Sequence, residues 1–318
     1  MRKILIFGMV LSIGARAQQW LDPSFGDAGL SLTWLSQYFD GANRVAVQSD
    51  GKLVVMGSIV NQLGSRDLMV ARFLPEGDLD PSFGINGLVT HDGAPDDLGR
   101  DLALQVDGGV VVVGIASVPG VSMAGEVVRF TAEGTLDPAF GNGGEVIIDN
   151  GYNGFLTGVA VQDDGKIVVV GKGSDDGVLE KFYLARLNTD GTMDGGFGTE
   201  GEVFTSVSSG DVGANEVVLL DDGRMISVGR SGDGQAGECD VTVIRYLEDG
   251  ALDVTFDEDG IAVLPSIGVT DAGNAVTVQP DGKVVVAGGG AQSTDSACVF
   301  VARLLPDGSL DPWFGEDG

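Results

Sequence analysis

The sequence holds one histidine, His91, and two cysteines, Cys239 and Cys298, among 318 residues. His91 beside Asp92 makes no triad of nucleophile, base and orienting acid. No group of residues has the spacing of zinc ligands. No glycine-rich phosphate loop precedes a helical pattern, because no helical pattern is present. Basic residues are also scarce, 18 against 47 acidic ones. So negative a chain repels phosphate backbones and anionic lipid, which excludes nucleic acid as a partner. It would attract divalent cations or basic partners, and it keeps a protein soluble outside the cell. Long apolar runs are missing as well. After the first residues, no segment is long and apolar enough to cross a bilayer, so no membrane insertion is expected.

The start of the chain reads as a secretory leader. Arg2 and Lys3 form its charged end, Ile4 to Ile13 its apolar run, and Ala15-Arg16-Ala17 its small-residue cleavage site. Residues 1–17 are therefore expected to be removed, and the protein to be secreted or held at the cell surface. The remainder carries 15 basic and 47 acidic residues, a formal charge of −32. Cys239 and Cys298 are then in an oxidising compartment. They are one repeat period apart, so they fall at similar places in neighbouring repeats. Such places generally lie too far apart for a disulfide.

What the chain has in excess is glycine, 52 residues, roughly twice the usual ~7%. Without a Gly-X-Y period, that favours a turn-rich all-β fold. It also has repetition. The stretch Leu79-Asp80-Pro81-Ser82-Phe83-Gly84 has relatives starting at Leu21, Leu136, Met193, Leu252 and Leu310, at steps of 58, 57, 57, 59 and 58. A fixed period of this size marks a repeat architecture whose copies stack into one body.

Each period contains four strand-like segments, A to D. Val45–Gly57 is two β-branched runs around Asp50-Gly51, and it recurs at Leu102–Gly114, Val159–Gly171, Val217–Gly229 and Val276–Gly288. Asp-Gly between apolar runs predicts a hairpin, strands A and B, with a tight primed turn. Val110–Val113 and Ile167–Val170 are apolar without alternation, as in strands covered on both faces. Strand C is the run Val70-Ala71-Arg72-Phe73 and its copies. Strand D follows the Leu-Asp-x-x-Phe-Gly motif, at Gly87–Thr90, Glu145–Ile148, Glu202–Thr205 and Ile261–Leu264. Four strands per period without helix predict propeller blades. A parallel β-helix would break each period in two, and no half-period repeat is visible.

Strands A, B and C occur five times. D trails them four times and stands once in front, at Leu30–Leu35. An N-terminal D strand that completes the last blade would close the ring and remove its open edges. The expectation is one domain over residues 18–318, a β-propeller of five four-stranded blades closed by residues 30–35.

These residues resemble the delta-60 repeat family of bacterial exported proteins. Its pattern is a D-G-x-L-D-x-x-F-G stretch, then V-A-V-Q-x-D-G-K, an apolar strand ending in glycine, and an A-R strand. Here Asp307-Gly308-Ser309-Leu310-Asp311 with Phe314-Gly315, and Val276–Gly288, carry the likeness, which extends over nearly all of residues 20–318. Gly195-Gly196 replaces Pro-Ser, Asp257 replaces Gly, Leu220 replaces Gln and Gly109 replaces Lys. The resemblance implies a β-propeller and no particular reaction.

The recurring Arg72, Arg129, Arg186, Arg245 and Arg303 sit inside apolar strands, where a guanidinium needs a carboxylate or several carbonyls. Asp80, Asp137, Asp194, Asp253 and Asp311 are the expected partners in a structural clamp. The recurring phenylalanines, Phe83 among them, are expected to pack between blades. Asp27, Glu200, Asp257, Asp259 and Asp317 could hold calcium with loop carbonyls, though they fit no EF-hand loop. No other cofactor is expected. The residue before strand A differs in every blade, Arg44, Asp101, Gly158, Glu216 and Ala275. Such residues could line a channel mouth, and Asp101 with Glu216 could form a glycosidase-type acid/base pair.

Three readings of function follow. The first is an exported acidic binding module for a protein or carbohydrate, contacting it through the D–A and B–C loops, where blades differ. Those loops include His91–Arg100, Ile115–Glu126, Lys172–Lys181 and Gly229–Cys239. The second is a carbohydrate-active hydrolase or lyase with carboxylates at the axis. The third is a spacer in a longer surface protein.

Overall fold

The computed structural model describes residues 21–33, 35, 40–61, 64–93, 97–118, 121–149, 154–210, 212–232, 239–266, 268, 270–293, 296–315 and 318. The leader and its cleavage site fall outside them. The described residues are all β and turn, in five successive antiparallel units. Unit one is β1 (Asp40–Val47), β2 (Leu53–Val60), β3 (Arg66–Phe73) and β4 (Leu88–His91). Unit two is β5 (Asp97–Leu104), β6 (Val110–Val118), β7 (Val121–Phe130) and β8 (Glu145–Ile148). Unit three is β9 (Phe155–Val161), β10 (Ile167–Gly173), β11 (Lys181–Leu187) and β12 (Glu202–Thr205). Unit four is β13 (Val212–Leu219), β14 (Met225–Gly232), β15 (Cys239–Tyr246) and β16 (Ile261–Val263). Unit five has three strands, β17 (Thr270–Val278), β18 (Val284–Ser293) and β19 (Ser296–Leu304). In each unit, consecutive strands are neighbours. One parallel bridge, Cys239 to Thr270, joins units four and five into a seven-stranded sheet. No disulfide joins Cys239 to Cys298.

The A–B hairpins form where Asp-Gly predicts them, with a different turn. Gly51 N–H donates to Gln48 C=O and Gln48 N–H to Lys52 C=O, so three residues make the loop. Gly51 takes a φ of 86°, a left-handed conformation that glycine adopts without steric cost. Strand A extends further back than Val45, because the ladder continues through a bulge between Ala42 and Arg44. Bulges recur between Gly99 and Asp101, Ala214 and Glu216, and Gly273 and Ala275. The glycine ending the apolar run of strand B lies opposite. A Cβ on Gly114 would stand 2.1 Å from Leu98 O, and one on Gly171 2.0 Å from Phe155 O. The bulge brings backbone so close that only glycine fits, and it turns the next residue toward the axis.

The core lies between blades, as expected for strands covered on both faces. Val54, Met56, Leu68 and Phe83 of unit one pack with Leu102, Val110 and Val112 of unit two. Three further clusters join units two and three, three and four, and four and five. Each such side chain, fully buried, contributes about 1.5–3 kcal/mol. Phe83, Phe140, Phe197 and Phe256 are fully enclosed at these interfaces.

Closure by Leu30–Leu35 is corrected. Leu30 to Thr33 form no strand beside β19, which is the edge of its sheet. The cause is the place taken by the N-terminal motif. Gly26 N–H donates to Glu76 C=O, just as Gly84 does to Glu133, Gly141 to Asp190 and Gly198 to Asp249. The first copy therefore sits in front of unit one. Unit five carries its own copy, with Arg303 N–H on Gly318 C=O as Arg72 N–H is on Gly87 C=O. Six copies cannot all fit around five blades, since two would claim one place. Val299 and Val301 of β19, and Val45 and Val47 of β1, are consequently exposed (86, 52, 63 and 66%), although Leu68, Val127 and Leu102 at matching places are buried.

Candidate functional site

Each recurring arginine lies on its recurring aspartate, eight residues on. The Nε to Oδ2 distances run from Arg72–Asp80 (2.8 Å), Arg129–Asp137 (2.8 Å) and Arg186–Asp194 (2.7 Å) to Arg245–Asp253 (2.7 Å) and Arg303–Asp311 (2.8 Å). The guanidinium also covers the motif phenylalanine, 4.5 Å from the ring centre for Arg186 over Phe197. Four of the five reach the following blade. Arg72 donates to Ala132 C=O at 2.6 Å, Arg129 to Thr189 at 2.5 Å, Arg186 to Glu248 at 2.8 Å and Arg245 to Pro306 at 2.5 Å. The aspartate caps its own turn, Asp80 Oδ1 accepting from Ser82 N–H.

The Lys of the D-G-K hairpin completes this arrangement. Lys52 lies 3.3 Å from Asp80, Lys166 3.0 Å from Asp194 and Lys283 3.0 Å from Asp311, with Arg224 in the same role 3.1 Å from Asp253. Gly109 stands in that place in unit two. The Lys166 hydrogen bond, against some burial and helped by Gly196 N–H and Arg186, holds Asp194 at about 2. Burial pushes Asp253 up, but Thr255, Arg224 and Arg245 outweigh it and hold it at about 2.

Three of the residues that differ between blades, Arg44, Asp101 and Glu216, come together. Arg44 Nε is 2.8 Å from Asp101 Oδ1, and Arg44 Nη2 is 4.0 Å from Glu216 Oε1. The two carboxylates thus converge on one guanidinium contributed by a third blade. Their other oxygens accept backbone N–H groups of following blades. Asp101 Oδ2 takes Val159 at 3.0 Å and Glu216 Oε2 takes Val276 at 2.6 Å. Burial raises both carboxyls above their ordinary range, against the pull of these N–H groups and of Arg44. The bulge residues add ties, Asn43 to Gly99 C=O and Asn215 to Gly273 C=O, both at 2.8 Å.

A hollow of about 1160 Å³ opens where the A–B hairpins of units one to three meet. Gln48, Gln105 and Gln162, Asp50, Asp107 and Asp163, and the edges of Arg72 and Arg129 line it. Sequence reasoning placed variable contacts at the opposite end, on the D–A and B–C loops. There the Ile115–Glu126 segment is mostly strand, since β6 and β7 nearly meet. Lys172 and Lys181 carry local ion pairs to Glu180 and Asp175. Residues 94–96 and 233–238 of those loops lie outside the described residues.

Among the described residues, no three of the calcium candidates stand close enough to share an ion. Asp257 N–H donates to Asp307 C=O and Asp259 accepts from Ile261 N–H. Asp27, Asp257 and Asp259 are exposed, and Asp317 lies outside the described residues. Glu200 and Asn86 share a left-handed turn position, at φ 56° each, where Asn, Gly and acidic residues interchange for backbone reasons. Among the described residues, one group of side chains is close enough to share an ion, His91, Asp97 and Glu126. Sequence reasoning set His91 aside for want of a partner. The available signal was Glu126, a charge in a strand where the matching residues are Met69, Tyr183, Thr242 and Phe300.

Five successive repeats, four of them four-stranded, packed face to face through shared apolar cores define a β-propeller repeat protein. The family model described as "Domain of unknown function (DUF5122) beta-propeller" matches residues 48–83, 105–140, 162–197, 220–256 and 279–314, more than half of the chain. The chain belongs to that family. No curated protein matches the sequence. Among solved structures, a protein of unknown function from Dyadobacter fermentans is similar at 12% identity and a TM-score of 0.50, over 86% of this chain and 82% of that one. An endo-arabinase from Bacteroides thetaiotaomicron aligns at 14% identity and a TM-score of 0.43, over 82% and 92%. An ulvan lyase aligns at 11% and 0.48, over 81% and 67%. The first likeness is one of fold, and the two enzymes are too distant in shape to inform chemistry here. No helix among the described residues is long and apolar enough to cross a membrane.

Proposed function

We propose that the chain is an exported, acidic β-propeller of the delta-60 type that binds a hydroxyl-rich ligand, a carbohydrate, without transforming it. The observation that carries this is the use made of the axial carboxylates. Asp101 and Glu216 share Arg44 and hold backbone N–H groups of following blades. A general acid needs a proton to give and a general base a free lone pair facing substrate. Here the lone pairs face the scaffold, so the acid pair serves to align blades. The hairpin-end hollow is the ligand site. Its carboxamides and carboxylates present donors and acceptors together, as sugar hydroxyls require, and its volume is on the scale of small-molecule sites.

The test is affinity electrophoresis and calorimetry of the full chain against a panel of soluble polysaccharides, with product release followed in parallel. Retention by at least one polysaccharide, weakened by Gln105→Ala and Gln162→Ala and without release of sugar, is expected. Retention unchanged in both variants would remove the hollow from consideration. The second reading, a hydrolase or lyase, is favoured by the convergence of Asp101 and Glu216. Chain cleavage abolished by Asp101→Asn would establish it in place of the first.

A further inference from the structure

Where unit one meets unit two, four ionisable side chains come together in a grouping that no other interface repeats among the described residues. His91 closes β4, Asp97 opens β5, Glu126 lies in β7 and Glu145 opens β8. Donor atoms of His91, Asp97 and Glu126 all lie within 4.8 Å of one another. His91 Nε2 is 3.2 Å from Glu126 Oε1 and 3.8 Å from Glu145 Oε2. Asp97 and Glu126 are fully buried, and His91 is 7% exposed. Nevertheless, among the described residues, neither His91 Nε2 nor either oxygen of Glu126 finds a hydrogen-bond partner, because the 3.2 Å approach is badly aligned for one.

That combination is unusual for a structural interior. Buried polar atoms are hydrogen-bonded in the great majority of cases, and a buried carboxylate without donors is costly. The next blade shows the ordinary solution at the same place. Tyr183 stands where Glu126 does, and its hydroxyl donates to Glu202 at 2.7 Å. In unit two the matching pair is two carboxylates, Glu126 and Glu145, with an imidazole between them. The chain also passes tightly over the cluster. A Cβ on Gly93 would stand 2.5 Å from His91 Nε2 and 3.3 Å from Glu145 Oε1, while Gly93 N–H orients Asp97 by donating to Oδ2 at 2.7 Å.

We propose that His91, Asp97, Glu126 and Glu145 bind one divalent transition-metal ion, of which Zn²⁺ fits the donors best. Imidazole nitrogen with carboxylate oxygen suits Zn²⁺, whereas Ca²⁺ and Mg²⁺ take oxygen shells of six or more ligands. A tetrahedral shell with bonds of about 2.0–2.2 Å puts neighbouring ligand atoms roughly 3.3–3.6 Å apart. The separations of 3.2 and 3.8 Å around His91 Nε2 bracket that range. Four protein ligands leave no open position, so the ion is a staple. It ties the last strand of unit one to β5, β7 and β8 of unit two.

The experiment is titration of the chelator-stripped full chain with Zn²⁺ by calorimetry, in physiological salt and millimolar Ca²⁺ to occupy surface carboxylates. Thermal melting with and without Zn²⁺ accompanies it. One Zn²⁺ per chain and a raised Tm are expected. Glu126→Gln, which keeps the side-chain volume, should weaken binding by at least about tenfold and remove the Tm rise. His91→Gln, the second variant should the first fold poorly, should do the same. No saturable Zn²⁺ binding by the parent chain, or equal binding by both variants, would overturn the proposal.

Discussion

Replacing Arg186 by methionine tests the recurring ion pair most directly. The side chain is 9% exposed, and methionine fills much of its volume. Three interactions disappear. The hydrogen bond to Glu248 C=O, from a charged donor into the next blade, is worth about 1.5–3 kcal/mol. The stacking over Phe197 is worth about 0.5–2 kcal/mol. The bond to Asp194 goes too, but that carboxylate is not stranded, since Lys166 and Gly196 N–H still hold it. Breaking one side of a buried pair costs about 3–5 kcal/mol when the other charge is left alone. With Lys166 in place the loss should fall near the bottom of that range, about 3 kcal/mol. Adding Lys166→Met removes the last cation, so the double variant should lose at least about 1 kcal/mol more than the two single losses combined. Urea unfolding followed by circular dichroism measures both. A single loss below about 0.5 kcal/mol, the level of an ordinary surface substitution, or strict additivity of the pair, would refute the reasoning.

Three further outcomes are expected. Asp257 occupies a position where the five other copies have glycine, at a φ of 46°, so Asp257→Gly should stabilise the chain by about 1–2 kcal/mol; an unchanged urea midpoint would count against the strain. Gly171→Ala drives a Cβ to within 2.0 Å of Phe155 O and should cost about 1–3 kcal/mol, whereas Gly177→Ala, with open space around it, should cost less in the same urea series. Stability should peak on the acid side of neutrality in melts across pH. Asp194 and Asp253 stand at about 2, below the unfolded value of about 3.9, so their contribution is present above about pH 4 and is lost toward pH 2. Asp101 and Glu216 are raised, so the folded state holds their protons more tightly and gains stability as pH falls from neutral toward the unfolded values near 4. A Tm that falls steadily from about pH 7.5 to 2 would contradict the raised axial pair.

The repeat is the part of this molecule that a sequence displays best. Period, hairpins and strand order are local, and each is stated five times. The pairing of Arg with Asp was legible for the same reason. Arg and Asp recur eight residues apart, and an arginine inside an apolar strand demands a partner wherever the chain folds. Ring closure was not legible. Leu30–Leu35 follows a proper copy of the motif, and strand count alone assigns it to unit five. What decides is that the motif also binds the next blade, through Gly26 on Glu76. Counting motif copies against blades, six to five, exposes the conflict that counting strands conceals. The hairpin turn differed for a smaller reason, since Asp-Gly serves both a two-residue primed loop and a three-residue loop ending in a left-handed glycine.

The sites divide along the same line, and the division has a physical cause. A repeat imposes one backbone on five sequences, so whatever stability demands must be met identically in each blade. Residues that depart from the pattern are free of that demand, or are held by something outside it. Glu145 and Glu202 occupy matching places, yet Glu202 accepts from the Tyr183 hydroxyl whereas Glu145 faces an imidazole and a second carboxylate. Arg44, Asp101 and Glu216 likewise share one column and meet at the axis from three blades. No motif search brings such residues together, because their proximity comes from symmetry and not from spacing. Aligning the five copies and asking which buried column changes charge does. That procedure selects Glu126 in strand C and the residue before strand A. At both, a blade does not satisfy the charge from its own sequence and obtains the counter-charge from a neighbour or from solution.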